Sequence, residues 1–268
     1  MLKPKKSLGQ NFLKDKAVAK RIVDCLSPKP SDTVVEVGPG TGALTEFLIE
    51  SGAKVYGVDI DSRMINFLSQ KYHKDANFET IHSDFLDFDF SAYFTGTKFK
   101  VIGNLPYHLS SPILEKLCDN HEYVGEAVLT IQKEVAARLV AEVDSSDFSS
   151  ITIYISNFCE TELLFDLGRL QFHPPPQVTS TVVRLDFFKQ PIITAEKYGR
   201  IKHLVQAAFS QRRKMMINSL IKYTELDREQ AAALLTEVGI DPQARPQNIS
   251  LQQYIKLAER LDGYAHSA

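Results

Sequence analysis

The sequence predicts an α/β fold over residues 1–190, with a doubly wound, mainly parallel sheet, followed by a small all-helical domain over residues 191–268. Three observations predict it. Short β-branched runs alternate with amphipathic segments from Thr33 to Phe187, the pattern of a sheet covered by helices on both faces. A glycine-rich turn, Gly38-Pro39-Gly40-Thr41-Gly42, joins the first run to the first helix behind it. After Pro191 the strand pattern stops and only helical segments follow.

The elements follow in order. Residues 1–14 read as an extended arm, basic and proline-broken at Lys3-Pro4-Lys5-Lys6. Asp15 can cap a helix whose apolar stripe is Val18, Ile22, Val23 and Leu26, and Ser27-Pro28-Lys29-Pro30 stops it. Thr33–Val37 is the first strand, Ala43–Ile49 the helix after the glycine turn, and Gly52 its end. Lys54–Ile60 is the second strand and carries acids at its end, Asp59 and Asp61. Ser62–Lys71 is helical. Phe78–Asp84 is the third strand, Lys100–Leu105 the fourth and Glu126–Gln132 the fifth, before a helix containing Val135, Leu139 and Val140. Ile151–Phe158 is continuous and β-branched, which reads as a strand, and Thr181–Phe187 alternates as another. Ile201–Phe209, Met215–Ile221, Arg228–Glu237 and Leu251–Leu261 are the helices of the second domain.

Composition excludes several classes. Hydrophobic content is 44% and charged content 24%, ordinary for a globular chain with a core. No apolar run approaches a membrane span, and the N-terminus has no apolar segment after its charges, so no secretory signal is expected. Cys25, Cys118 and Cys159 are far apart and odd in number, which gives neither a disulfide framework nor a zinc spacing and fits a reducing cytoplasm. Net charge is only −2, yet it is uneven. Residues 1–21 hold seven Lys/Arg against one acid, and residues 197–222 hold seven Lys/Arg and no acid. Such blocks suit a phosphate backbone, although solvated helix faces produce the same pattern.

A strand, a Gly-x-Gly-x-Gly turn, a helix and an acid at the next strand end make a nucleotide pocket. Asp59 stands 21 positions after Gly38, where a carboxylate accepts ribose hydroxyls. The loop alone would also pass as a dinucleotide fingerprint. Glu36 and Asp84 shift the reading towards S-adenosylmethionine. Glu36, just before the first glycine, would oppose a pyrophosphate but suits a ligand bearing an ammonium and a sulfonium. Asp84, ending the third strand, can accept from an adenine amino group. At the fourth strand end stands Asn104-Leu105-Pro106-Tyr107. The Asn104 oxygen and the Leu105 or Pro106 carbonyl can accept from an NH2 group, and Tyr107 offers a face for a base. Taken singly, Asp59 and Asp84 could be helix caps and Tyr107 a surface tyrosine.

Beyond these, Ser7-Leu8-Gly9-Gln10-Asn11-Phe12-Leu13, Glu36 through Thr45, Gln132 through Leu139, Phe172-His173-Pro174-Pro175-Pro176-Gln177-Val178-Thr179-Ser180 and Phe209-Ser210-Gln211-Arg212-Arg213-Lys214 stand in a familiar order. Over nearly its whole length the chain resembles the ribosomal RNA small-subunit adenine N6,N6-dimethyltransferases, the KsgA family. The resemblance implies a Rossmann-like class I S-adenosylmethionine-dependent methyltransferase domain. It implies transfer of four methyl groups to N6 of two adjacent adenosines in the 3′-terminal hairpin of 16S rRNA, S-adenosylhomocysteine as product, no metal, and a monomer. By the family pattern Asn11, Leu13, Gly38, Asp59, Asp84 and Asn104 would contact the cofactor, joined here by Glu36 and Gly40. Asp59 replaces the glutamate of many relatives, and Phe148-Ser149-Ser150 a Tyr-Gly pair.

On that reading Asn104, Leu105 and Pro106 hold the target amine, Tyr107 and Phe172 clamp the base, and Lys3, Lys5, Lys6, Arg212, Arg213 and Lys214 meet RNA phosphates. His108 beside Tyr107 reads as a solvated loop histidine. Rival readings are a large-subunit rRNA adenine methyltransferase of the macrolide-resistance type, a non-catalytic nucleic-acid-binding factor on the same fold, and, more distantly, a nicotinamide dehydrogenase.

Overall fold

The structure, a computed structural model, describes residues 2–224 and 226–265. In chain order the strands and helices are β1 (Phe12–Leu13), α1 (Lys16–Leu26), β2 (Thr33–Val37), α2 (Thr45–Glu50), β3 (Lys54–Asp59), α3 (Ser62–Lys71), β4 (Phe78–His82), β5 (Phe99–Asn104), α4 (Ser110–Asp119), β6 (Val124–Gln132), α5 (Lys133–Leu139), α6 (Ser150–Ser156), β7 (Cys159–Leu167), β8 (Phe172–His173), β9 (Ser180–Phe187), α7 (Ala195–Ser210), α8 (Met216–Tyr223), α9 (Arg228–Glu237) and α10 (Leu251–Ala265). Two compact units result. One comprises the chain up to Ala136 together with Cys159–Lys189; the other comprises Ala137–Phe158 and the chain from Gln190 on.

The first unit is built on a seven-stranded sheet in the order β4-β3-β2-β5-β6-β9-β7. β2 through β6 run parallel, and β9 lies antiparallel between β6 and β7. The chain leaves β2 towards β3 on one side and returns as β5 on the other. This reversal opens a crevice beyond the carboxyl ends of β2 and β5, where such sheets bind ligands. Val37 pairs with Gly103, so Asn104 emerges at that crevice. Gly103 is required by closeness: a Cβ there would lie 2.8 Å from the Val37 carbonyl oxygen.

The apolar alternation explains the packing. Ala19, Ile22, Val23 and Leu26 form the buried stripe of α1, which Asp15 caps by accepting from the Ala17 and Val18 amides. They meet Val34, Val55, Ile102 and Val128 of the sheet, all fully buried. Each such side chain contributes roughly 1.5–3 kcal/mol. Behind the third parallel strand, Phe85, Phe88, Phe90 and Phe99 form an aromatic cluster with centroids 5.0–6.1 Å apart, which braces the loop after Asp84.

Ile151–Phe158 departs from the sequence reading, because residues 150–156 are helical. Ser149 and Thr152 form a reciprocal N-terminal cap, and the Thr152 hydroxyl donates 2.6 Å to the Arg138 carbonyl. At the other end Asn157 donates to the Ile193 carbonyl and accepts from the Ile193 amide. A short apolar run fully buried on all sides carries no period that separates helix from strand. The strand lies next in the chain as β7, whose half-exposed, acid-bearing sequence hides it. Consequently residues 137–158, placed by sequence in the first domain, belong to the helical unit. Tyr154, Phe158 and Tyr198 interlock there with centroids 5.1–6.1 Å apart.

Candidate active site

The glycine turn is held in the left-handed region, with φ of +62°, +55° and +85° at Gly38, Gly40 and Gly42. A Cβ on Gly42 would stand 2.8 Å from Leu68, and one on Gly40 would stand 3.1 Å from the Phe12 ring. At Gly38 a Cβ would meet nothing within 4 Å, so the backbone there faces open space. That space is a cavity of about 260 Å³ at the crevice. Asn11, Gly38, Gly40, Asp59, Asp84, Asn104, Leu105, Pro106 and Tyr107 all line it. Glu36 and Leu13 line a smaller cavity of about 30 Å³ that shares Phe12, Gly38, Gly40 and Asn104 with the first.

Electrostatics concentrate on three acids. Glu36 is 1% exposed, and burial pushes its carboxyl up to about 8 despite a 2.6 Å hydrogen bond from the Thr45 hydroxyl. Asp59 accepts from the Asp61 amide (2.8 Å) and the Gly40 amide (3.2 Å). Burial raises its pKa against those bonds. Asp84 accepts from the Leu86 amide (2.9 Å), so one oxygen caps a turn while the residue still lines the cavity.

The arm closes one wall. β1 pairs antiparallel with β8, Leu13 opposite Phe172, and the Lys14 amide donates to the Gln171 carbonyl. Asp61 latches the arm further. Gln10 and Lys5 reach it at 3.3 and 3.4 Å, and Arg63 holds it well below the usual carboxylate range while donating to the Lys3 carbonyl. From this wall the Asn11 carbonyl accepts a 2.8 Å hydrogen bond from Asn104 Nδ2. A carbonyl only accepts, so the Asn104 amide is fixed with its nitrogen towards the arm and its oxygen free as an acceptor. The Pro106 carbonyl accepts from the Leu109 amide (2.9 Å), closing the turn that carries Tyr107. Burial raises the Tyr107 phenol above its ordinary range, against a 2.7 Å hydrogen bond with Ser180, so it stays protonated.

Phe172 does not stand where the sequence reading put it. It is 1% exposed, packs in the core with Leu13, Ile22 and Val182, and lines neither cavity. Pairing of β8 with the arm turns this ring inward. Arg212 is likewise occupied, donating to the Ser146 and Phe148 carbonyls. Lys3, Lys5, Arg213 and Lys214 are exposed, while the Lys6 side chain lies outside the described residues. His108 lines the large cavity. Sequence reasoning missed Phe12 and Phe85, which also line it; aromatic residues beside Asn11 and Asp84 were the available signal. Among the described residues no group of His, Cys, Asp or Glu is arranged to hold a metal, and no helix is long and apolar enough to cross a membrane.

Comparison with known proteins places this arrangement. A ribosomal RNA small subunit methyltransferase A of Janthinobacterium sp. (strain Marseille) is 39% identical over 262 residues, 96% of this chain and 98% of that protein. A protein of the same name from Coxiella burnetii (strain Dugway 5J108-111) is 36% identical over 258 residues, again 96% of this chain and 98% of that one. A dimethyladenosine transferase from Plasmodium falciparum superposes with a TM-score of 0.80 at 26% identity, covering 95% of this chain and 98% of the other. The 23S rRNA methyltransferase ErmE does so at 0.69 and 27%, covering 94% and 100%. These likenesses bear out the Rossmann-like class I methyltransferase fold with its helical C-terminal part. The family described as ribosomal RNA adenine dimethylase matches residues 1–263, and the chain belongs to it.

Proposed function

We propose that the protein dimethylates N6 of two adjacent adenosines in the 3′-terminal hairpin of 16S rRNA, with S-adenosylmethionine as methyl donor and S-adenosylhomocysteine as product. It acts in the cytoplasm, as a monomer, on the small ribosomal subunit or its precursor. The observation that carries this reading is the fixed Asn104 amide, whose oxygen is left as an acceptor at the open crevice.

The cavity fits the donor: open backbone at Gly38, Asp59 for the ribose hydroxyls, Asp84 for the adenine amine, and Glu36 for a cationic tail. When bound, S-adenosylmethionine supplies an electrophilic methyl group. The chain's task is to prepare the amine, whose lone pair is delocalised into the adenine ring. Asn104 Oδ1 accepts one N–H. The Leu105 carbonyl is favoured for the other, since the Pro106 carbonyl is engaged by Leu109. Two acceptors draw the nitrogen towards pyramidal geometry and aim its lone pair, so the gain is positioning and electrostatics. No strong base is needed, because the N6 proton becomes acidic once the nitrogen is alkylated. Tyr107 stacks the base after it leaves the RNA helix. Of the cations assigned to RNA phosphates, Lys3, Lys5, Arg213 and Lys214 are exposed.

The test supplies tritiated S-adenosylmethionine with unmethylated small subunits and, separately, unmethylated large-subunit RNA, followed by nucleoside analysis. The expected product is N6,N6-dimethyladenosine from the small subunit alone. Label in large-subunit RNA only would instead make this an enzyme of the ErmE kind. RNA binding without label would favour a non-catalytic factor.

A further inference from the structure

We propose that Ser180 is a positioning residue that sets the plane of the Tyr107 ring for the incoming adenine. The inference rests on Tyr107 being the stacking face and assigns a role to a residue that touches neither base nor cofactor.

Tyr107 begins the 3-10 turn that follows Pro106 at the carboxyl edge of the sheet. A turn of three residues fixes the Cα but leaves the ring free to rotate about two torsions. Its hydroxyl lies 2.7 Å from Ser180 Oγ. Ser180 is fully buried at the first position of β9. There it pairs with Gln132 of β6 on one side and Leu167 of β7 on the other. A residue laddered on both sides is among the least mobile anchors the fold offers. The ring is therefore fixed at both ends, by its turn and by the sheet.

Fixing matters because stacking is face-dependent. A ring pinned before the base arrives loses no torsional freedom on binding. The same bond withdraws the hydroxyl from chemistry: it is occupied and remains protonated. Tyr107 thus serves through its face, and its oxygen serves only as the point of attachment. Neither lining of the two cavities includes Ser180, so the hydroxyl acts through Tyr107.

The experiment is a double-mutant cycle on the full chain with small subunits as substrate, reading kcat, KM for RNA, cofactor affinity and thermal midpoint. Ser180→Ala and Tyr107→Phe are each expected to lower kcat about five- to tenfold, the size of one net hydrogen bond, with cofactor affinity unchanged. The double variant is expected to lose no more than either single one. Ser180→Thr, which keeps the hydroxyl, is expected to restore most of the rate. Losses that multiply in the double variant would overturn the proposal. So would a Tyr107→Phe enzyme as fast as wild type, a readout that stands even if Ser180→Ala fails to fold. Tyr107→Ala separates the two levels. Full activity in that variant would remove the stacking role itself. A large loss there, with Ser180→Ala and Tyr107→Phe unaffected, would remove only the tether.

Discussion

Replacing Glu36 by Gln should make the unliganded protein more stable, and by an amount that grows with pH. The carboxyl is 1% exposed and its pKa is pushed from 4.5 to about 8 by burial. A group whose folded pKa is raised binds its proton more tightly in the folded state. Its favourable contribution is therefore complete below pH 4.5 and is lost as pH rises through 8. Two-state linkage with these values gives a loss of about 3 kcal/mol between pH 5.5 and 8.5. Glutamine keeps an acceptor for the Thr45 hydroxyl and has no charge to desolvate. Urea unfolding of both proteins across that range is the assay. The stability difference should widen by about 3 kcal/mol from acid to alkali. Parallel curves would refute the reasoning, since they would mean that Glu36 titrates alike in folded and unfolded chains.

Other consequences are checked separately. Binding of S-adenosylmethionine at pH 7 should release up to one proton as its cationic tail draws Glu36 into the carboxylate form. Calorimetry in buffers of different ionisation enthalpy reads this, and identical heats would count against it. Asn104→Ala should lower kcat by at least about 100-fold while cofactor affinity weakens only slightly, measured by single-turnover transfer and direct binding. Phe172→Ala should cost about 3–5 kcal/mol of stability, because the ring is enclosed by core; an unshifted denaturation midpoint would contradict that placement. Lys3→Ala with Lys5→Ala should reduce the slope of log affinity for RNA against log salt by roughly 1–2, and an unchanged slope would remove both lysines from the interface.

Most of the site was legible because it sits at strand ends, and strand ends are punctuated in sequence. Asp59, Asp84 and Asn104 each follow a β-branched run, and the glycine turn announces its own conformation. What stayed hidden depends on pairings between distant segments. Nothing near Phe172 says that the arm will pair with it and turn its ring inward. Nothing near Arg212 says that two carbonyls, at Ser146 and Phe148, will claim its guanidinium. The helix at residues 150–156 escaped for a different reason. Its β-branched residues favour a strand locally, and the Ser149–Thr152 cap together with burial on every side overrides them. Charge was the least informative signal, since Lys5 reads as a phosphate contact and is also one end of the latch on Asp61.

The pairing of β1 with β8 carries a consequence for synthesis. Leu13 meets Phe172 across roughly 160 residues of chain. At ribosomal elongation rates the arm is made about 10–30 s before its partner strand exists. Until then the arm is held only by its latch on Asp61 and Arg63, and the segment that carries Asn11 lacks its strand partner. The parallel strands β2 to β5 can form earlier, but the competent crevice cannot. Completion of the site is thereby deferred to the last third of translation, so a truncated nascent chain presents the glycine turn and Asn104 beside an arm that β8 does not yet anchor.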